Sequence, residues 1–208
     1  MHCIIPARGG SKRYPRKNLK HIKGKPVFYY PAMAAMHSGL FDEIVISTED
    51  DEIAGIARSQ GLKVDKRPDD LATDTASVAE VCREYLQRNN TPAFACLYST
   101  ACLIKPEHIR EAAKKLETHT NVMGVTKYKI HPWKAMDING NPLLPEDIKR
   151  PLNEAQEYYG SNGSLYMGRT EDFLRTPDFY NDVALIETPS IDVDYEEDFR
   201  ELRQSMTA

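Results

Sequence analysis

Cysteine is scarce in this sequence and shows no pattern. Cys3, Cys82, Cys96 and Cys102 are the four in 208 residues, none at Cys-x-x-Cys spacing, each in or beside an apolar run. That argues against a zinc site and for four buried, reduced thiols. No apolar stretch approaches the ~18 residues of a membrane span. No basic segment followed by an apolar one precedes the first strand, so a soluble, cytoplasmic protein is expected. Excess positive charge is also missing: the net charge is −4, which disfavours a general nucleic-acid binder. The Gly-x-Ser-x-Gly elbow is absent, which makes Ser/His/Asp hydrolysis a poor reading. So are the Walker loop and the dinucleotide fingerprint Gly-x-Gly-x-x-Gly. There are no repeats or low-complexity tracts.

What the chain does have is concentrated near its start. The apolar run Cys3–Ile5 reads as a buried strand and leads into Pro6-Ala7-Arg8-Gly9-Gly10-Ser11-Lys12-Arg13-Tyr14-Pro15-Arg16-Lys17-Asn18. Two glycines can turn backbone N–H groups toward one point, and Arg8, Ser11 and Lys12 add donors around it. This is a way to build a phosphate cradle, although a basic surface loop with a tight turn has the same composition.

Beyond the loop, Gly24-Lys25-Pro26 reads as a turn, and Val27–His37 has helical spacing ending near Gly39. Glu43–Thr48 is a β-branched strand, and the acids that follow suit the start of a helix running to Gly61. Leu62–Asp65 is a short strand and Lys66–Asp74 a loop, after which Thr75 or Ser77 caps a helix bearing Val78, Val81, Cys82 and Tyr85. Ala93–Tyr98 is a strand, Pro106 opens a helix, and Asn121–Thr126 is another strand. Strands alternating with helices predict an open, mostly parallel α/β sheet, one domain over residues 1–208 with right-handed crossovers. From Lys127 to about Gly160 the alternation fails, and a hairpin-like excursion is expected. Asn162–Gly168 returns to strand, Glu171–Arg175 to a short helix, Val183–Val193 to one or two strands, and Tyr195–Arg203 to a helix.

Ligands of open α/β sheets bind beyond the carboxyl ends of the strands, near the switch in strand order. By that rule the polar groups to watch are the Arg8–Asn18 loop, Ser99-Thr100, Asn162-Gly163 and Asp192-Val193-Asp194. Asp192 and Asp194 alternate on an extended segment and can face one side, where two carboxylates repel unless a cation compensates. Such a pair suits Mg²⁺ shared with substrate phosphates, or forms the acidic N-terminus of the helix containing Glu196–Asp198. His131 reads as a loop or interface histidine before a catalytic one. Ser47, Thr48 and Asp50 are explained equally well by helix capping. Cys102 has no histidine partner and is not read as a nucleophile.

The segment Ile4–Asn18 resembles the N-terminal motif of the sugar-activating cytidylyltransferases, above all the acylneuraminate (CMP-sialic acid) synthetases and their pseudaminic and legionaminic acid relatives. Gly24–Gly61, Arg67–Ser77, Asn162–Met167 and Ser190–Asp198 extend the resemblance over nearly the whole chain. It implies a Rossmann-like, three-layer nucleotidyltransferase fold. It also implies cytidylyl transfer from CTP to a nine-carbon keto-acid sugar, with Mg²⁺ and release of pyrophosphate. Carried onto matching positions, Ala7, Arg8, Gly9, Gly10, Ser11 and Lys12 would surround the CTP phosphates, while Lys17, Asn18 and Arg67 would hold the nucleotide. Asp192 and Asp194 would bind the metal, and Ser99, Thr100, Asn162 and Gly163 would contact the sugar. Arg8, Lys12 and Asp194 are the residues expected to act in catalysis.

The chain departs from the sialic acid pattern on the sugar side. Leu97–Cys102 replaces Gln-Pro-Thr-Ser-Pro, in wording closer to the pseudaminic acid enzymes, and Pro151–Ala155 stands where Arg-Gln-Asp-Leu-Pro is usual. The excursion at 127–160 carries Trp133, Leu143, Leu144, Tyr158 and Tyr159, which a lone hairpin could not bury, so a homodimer built on this arm is expected.

Overall fold

A computed structural model describes residues 1–152 and 156–207. Asn153-Glu154-Ala155, part of the departure just noted, lie outside them. One seven-stranded sheet organises the chain: β1 (His2–Pro6), β4 (Glu43–Thr48), β5 (Lys63–Lys66), β6 (Ala93–Leu97), β7 (Asn121–Lys127), β8 (Tyr159–Arg169) and β9 (Val183–Glu187). Its order is β5-β4-β1-β6-β8-β7-β9. All neighbours are parallel except β8, which runs antiparallel between β6 and β7. A separate two-stranded ribbon, β2 (His21–Ile22) with β3 (Lys25–Pro26), follows the basic loop. The turn expected at Gly24–Pro26 is therefore shifted: Lys23 and Gly24, both with positive φ, make it, and Lys25-Pro26 is strand. Left-handed backbone at both central positions matches the twist of a tight hairpin.

The strands read as continuous apolar runs because both sheet faces are covered. Cys3, Ile5, Ile46, Ala95, Leu97 and Val122 pack in one cluster with α1 (Tyr29–Ser38), α2 (Asp51–Ser59) and α4 (Pro106–Lys115). Their sequence neighbours Ile4, Val45, Phe94, Cys96 and Met123 face the opposite cluster, beneath α3 (Val78–Arg88) and α5 (Thr170–Arg175). This is the expected three-layer α/β architecture. Ser77 starts α3 with a full capping box to Glu80, and Asp50 caps α2 through the Ile53 N–H. All four cysteines are free and buried, as expected; burial pushes the Cys102 thiol up to about 12.

A third, smaller cluster sets the position of the acidic pair. Ile22, Val27, Cys102, Val193, Phe199 and Leu202 pack together, joining the ribbon to α6 (Glu196–Ser205). Val193 is the anchor of its segment, buried between Asp192 and Asp194, which stay at the surface of the site. The segment 188–193 forms no strand, contrary to the expectation of strand through Val193; β9 ends at Glu187.

Behind the start of β8 lies a polar network. Asn162 Nδ2 donates to Thr188 O at 2.9 Å and to the Thr126 and Thr188 hydroxyls at 3.0 Å. Its Oδ1 accepts from Ser164 N and Oγ. Gly124 on β7 leaves room for this network, since a Cβ there would collide with Ser164 Oγ and sit 2.9 Å from Thr188 Oγ1. Gly124→Ala should thus destabilise the fold by about 1–3 kcal/mol as overpacking. Urea unfolding should show a lower midpoint at unchanged slope, and an unaltered midpoint would contradict the packing described.

Candidate active site

Going outward from β1, the chain builds β4 and β5 on one side and then crosses to lay β6 on the other, so the order reverses between β1 and β6. At that point, beyond the carboxyl ends of the strands, lies a cavity of about 270 Å³. Arg8 follows β1, Arg67 follows β5, and Tyr98, Ser99 and Thr100 follow β6; all line it, together with Arg13, Lys17, Asn18, Asp192 and Asp194. The location is the one an open α/β sheet uses for ligands.

The basic loop is held in place by its own polar side chains. Asn18, nearly fully buried, donates from Nδ2 to Arg8 O at 2.8 Å and accepts from Ser99 Oγ at 2.6 Å. It therefore staples the loop to the end of β6. Arg16, in the left-handed region, turns away to pair with Asp50 and Glu52 at the start of α2. Lys17 Nζ donates to Val193 O at 2.8 Å and lies 3.9 Å from Asp194. Burial pushes the Lys17 ammonium down from its ordinary range, and Asp194 and Asp192 act against that. Arg67 forms the buried floor, its Nη2 donating to Ser47 O at 2.8 Å. Burial lowers its pKa as well, with Glu49 the main charge opposing the shift.

Arg8, Lys12, Arg13 and Lys17 line the mouth, and each has an acidic partner. Arg8 and Lys12 pair with Asp74 at 2.7 and 2.6 Å. Arg13 pairs with Asp194 at 2.5 Å, and Lys17 approaches the same carboxylate. Asp192 makes no ion pair among the described residues; burial, then the neighbouring Asp194 charge, pushes its carboxyl above the usual range. The two aspartates do face one side, as expected: both line the first cavity and both act on the Lys17 charge.

A second cavity, about 430 Å³, adjoins the first. It is lined by Tyr98, Ser161, Asn162, Gly163, Tyr166, Tyr180, Ser190 and Asp192, so Tyr98 and Asp192 belong to both. Gly163 has a positive φ, and a Cβ there would meet the Tyr98 ring at 3.1 Å. Glycine thus lets the turn lie against the dividing tyrosine.

Several expected site residues are placed differently from the simplest reading. Ala7 is in the core and spends its N–H on Ser47 O. The Gly9 N–H donates to Glu49 at 2.7 Å instead of facing the cavity, and a Gly9 Cβ would collide with Asp50. Gly9 thus serves close packing on the start of α2, whereas Gly10 is exposed and unobstructed. Ser11 lines the mouth. Ser99 and Thr100 fall in the first cavity with the basic loop, and the Asn162 amide is consumed by the network that braces β8. His131 lies in the excursion, edge-on to Trp133 and Tyr158, and lines neither cavity. Asp74, Tyr98, Tyr166, Tyr180 and Ser190 were not singled out from sequence. Tyr98, at the end of a strand beside Ser99, and Ser190, two residues before Asp192, had a local signal; Tyr180 reaches the site only through the tertiary fold.

Residues 2–203 match the family model described as cytidylyltransferase. The chain is 36% identical over 193 residues to pseudaminic acid cytidylyltransferase of Campylobacter jejuni, covering 84% of this chain and 83% of that protein. It is 33% identical over 192 residues to CMP-N,N'-diacetyllegionaminic acid synthase of Legionella pneumophila, covering 86% and 82%. With N-acylneuraminate cytidylyltransferase of Streptococcus agalactiae it shares 30% over 210 residues, 95% of this chain but 51% of that longer protein. Among solved structures, a CMP-2-keto-3-deoxy-manno-octonic acid synthetase complexed with CTP superposes with a TM-score of 0.77 at 17% identity, covering 99% and 97% of the two chains. That likeness is one of fold, and it agrees with the α/β architecture described. The match along almost the full chain, with the basic loop and the acidic pair brought to one sheet edge, shows that the chain belongs to the cytidylyltransferase family.

Proposed function

We propose that this enzyme transfers the cytidylyl group of CTP to a nonulosonic acid, a nine-carbon keto-acid sugar, and releases pyrophosphate. The observation that carries the reading is the pair of cavities sharing Tyr98 and Asp192 as a wall. A nucleotide in the first, with its phosphates toward the basic mouth, would have its α-phosphorus near that wall. An acceptor in the second would present its anomeric hydroxyl from the other side. The relatives named for pseudaminic, legionaminic and N-acylneuraminic acids support this acceptor class.

The chain's own residues mainly position reactants and neutralise charge, which is what phosphoryl-type transfer requires of a protein. Arg8 and Lys12 meet the β- and γ-phosphates and stabilise the departing pyrophosphate. Arg67 and the Asn18–Ser99 pair shape the nucleoside end. Two carboxylates of which one lacks an ion-pair partner among the described residues, beside a phosphate site, fit a hard divalent cation completed by phosphate oxygens. Asp192 and Asp194 would therefore hold Mg²⁺, which supplies charge neutralisation and Lewis-acid polarisation when bound.

The homodimer belongs to the same reading. Tyr128, Ile130, Met136, Ile138, Leu143, Leu152 and Tyr158 are all exposed on the excursion between β7 and β8. Trp133, expected among the free groups, is instead buried beneath Arg150, and Tyr159 is half-buried. The remaining apolar groups are more than a scattered surface, and a second copy would cover them.

With CTP and a nonulosonic acid, Lys12→Ala should lower kcat/KM by ~10²-fold or more. Asp194→Ala should abolish pyrophosphate release while keeping the far-ultraviolet spectrum. A loss under about threefold in the first, or near-normal turnover in the second, would overturn the assignment of that residue. Sedimentation at micromolar concentration should show a dimer; a monomer would contradict the role given to the excursion.

A further inference from the structure

The loop from Lys66 to Ser77 delivers one carboxylate, Asp74, to the mouth. Its Oδ1 lies 2.7 Å from Arg8 Nη2 and its Oδ2 lies 2.6 Å from Lys12 Nζ. Two cations on the two oxygens of one anion is the arrangement in which the same side chains would grip two phosphate oxygens. Asp74 lines both the nucleotide cavity and the adjoining basic mouth, so it occupies space a triphosphate needs.

The two carboxylates that pair with the mouth cations differ in how they are held. Asp194 follows the buried anchor Val193, and its backbone N–H is fixed by Asp198 at 2.9 Å. Asp74 sits among exposed residues, Thr73 to Thr75, whose links are local: Thr73 Oγ1 accepts from Ala76 N and contacts Thr75 Oγ1. Withdrawing Asp74 therefore disturbs no core packing.

We infer that Asp74 is a positioning residue that stands in for a phosphate group: it keeps Arg8 and Lys12 aimed before nucleotide binds, and yields them to the triphosphate. The inference rests on the reading of Arg8 and Lys12 as phosphate ligands. Its consequence is a competition. The apparent affinity for any polyphosphate equals the intrinsic affinity reduced by the fraction of molecules in which Asp74 has let go. The same carboxylate, returning after the reaction, favours departure of pyrophosphate. Partly exposed ion pairs are weak enough to be displaced, and two of them alter an anion's apparent affinity by roughly three- to tenfold.

The test is calorimetric titration with inorganic pyrophosphate and, in parallel, steady-state kinetics with CTP. Asp74→Asn should bind pyrophosphate roughly three- to tenfold more tightly than the wild type and show a lower KM for CTP. Asp74→Ser, which also removes the charge, should repeat the gain, and Asp74→Glu, which keeps it, should not. Lys12→Ala should weaken pyrophosphate binding. If Lys12→Ala weakens binding but the neutral Asp74 variants bind no more tightly than wild type, Asp74 is not a competing anion. A Lys12→Ala variant that binds pyrophosphate like the wild type would instead refute the phosphate site itself, and this inference with it.

Discussion

Arg8, Lys12, Arg13 and Lys17 leave one strand end within ten residues, and like charges a few ångströms apart near a protein surface repel by kcal/mol amounts. The site depends on how that repulsion is met. Asp74 takes one pair of cations and Asp194 the other, and both carboxylates line the mouth. The basic loop, the loop after β5 and the segment before α6 are thus drawn to one point by charge. Apolar packing does the complementary work: Val193 is buried in the third cluster, so its acidic neighbours cannot retreat from the cations they face.

Asp192 stands beside this arrangement and joins none of its ion pairs among the described residues. Its carboxyl is pushed up by burial and by Asp194, and it borders both cavities. With Tyr98 it forms the wall between the two cavities. The family likeness and the geometry support the same chemistry from separate directions. The relatives are named for nonulosonic acids, and this chain has two adjoining cavities at the edge where an open α/β sheet binds ligands.

Much of the fold was legible because strands covered on both faces read as unbroken apolar runs, from Cys3–Ile5 through Asn121–Thr126. The direction of β8 was not, since period-two alternation is the same whichever way a strand runs. Its insertion between β6 and β7 depends on pairing partners distant in sequence. At the site, the residue types of the basic loop and the acidic pair carried their own signal. The uses of Gly9 and Asn162 did not, because Glu49, Thr126 and Thr188, which take up their hydrogen bonds, are set by tertiary structure alone. Asp74 illustrates the same limit: as one acid in an irregular loop it had no pattern to distinguish it from Asp69 or Asp70.

The central claim is that this basic mouth and its neighbouring cavity serve cytidylyl transfer to a nonulosonic acid. The most direct measurement is pyrophosphate release with Mg²⁺, for CTP, ATP, GTP and UTP in turn, across N-acetylneuraminic, pseudaminic, legionaminic and 3-deoxy-manno-octulosonic acids. The account predicts release with CTP and at least one of the first three acids, with the CMP-sugar formed in equal amount. Release only with another nucleotide, only with the eight-carbon acid, or CTP binding without any product would contradict it.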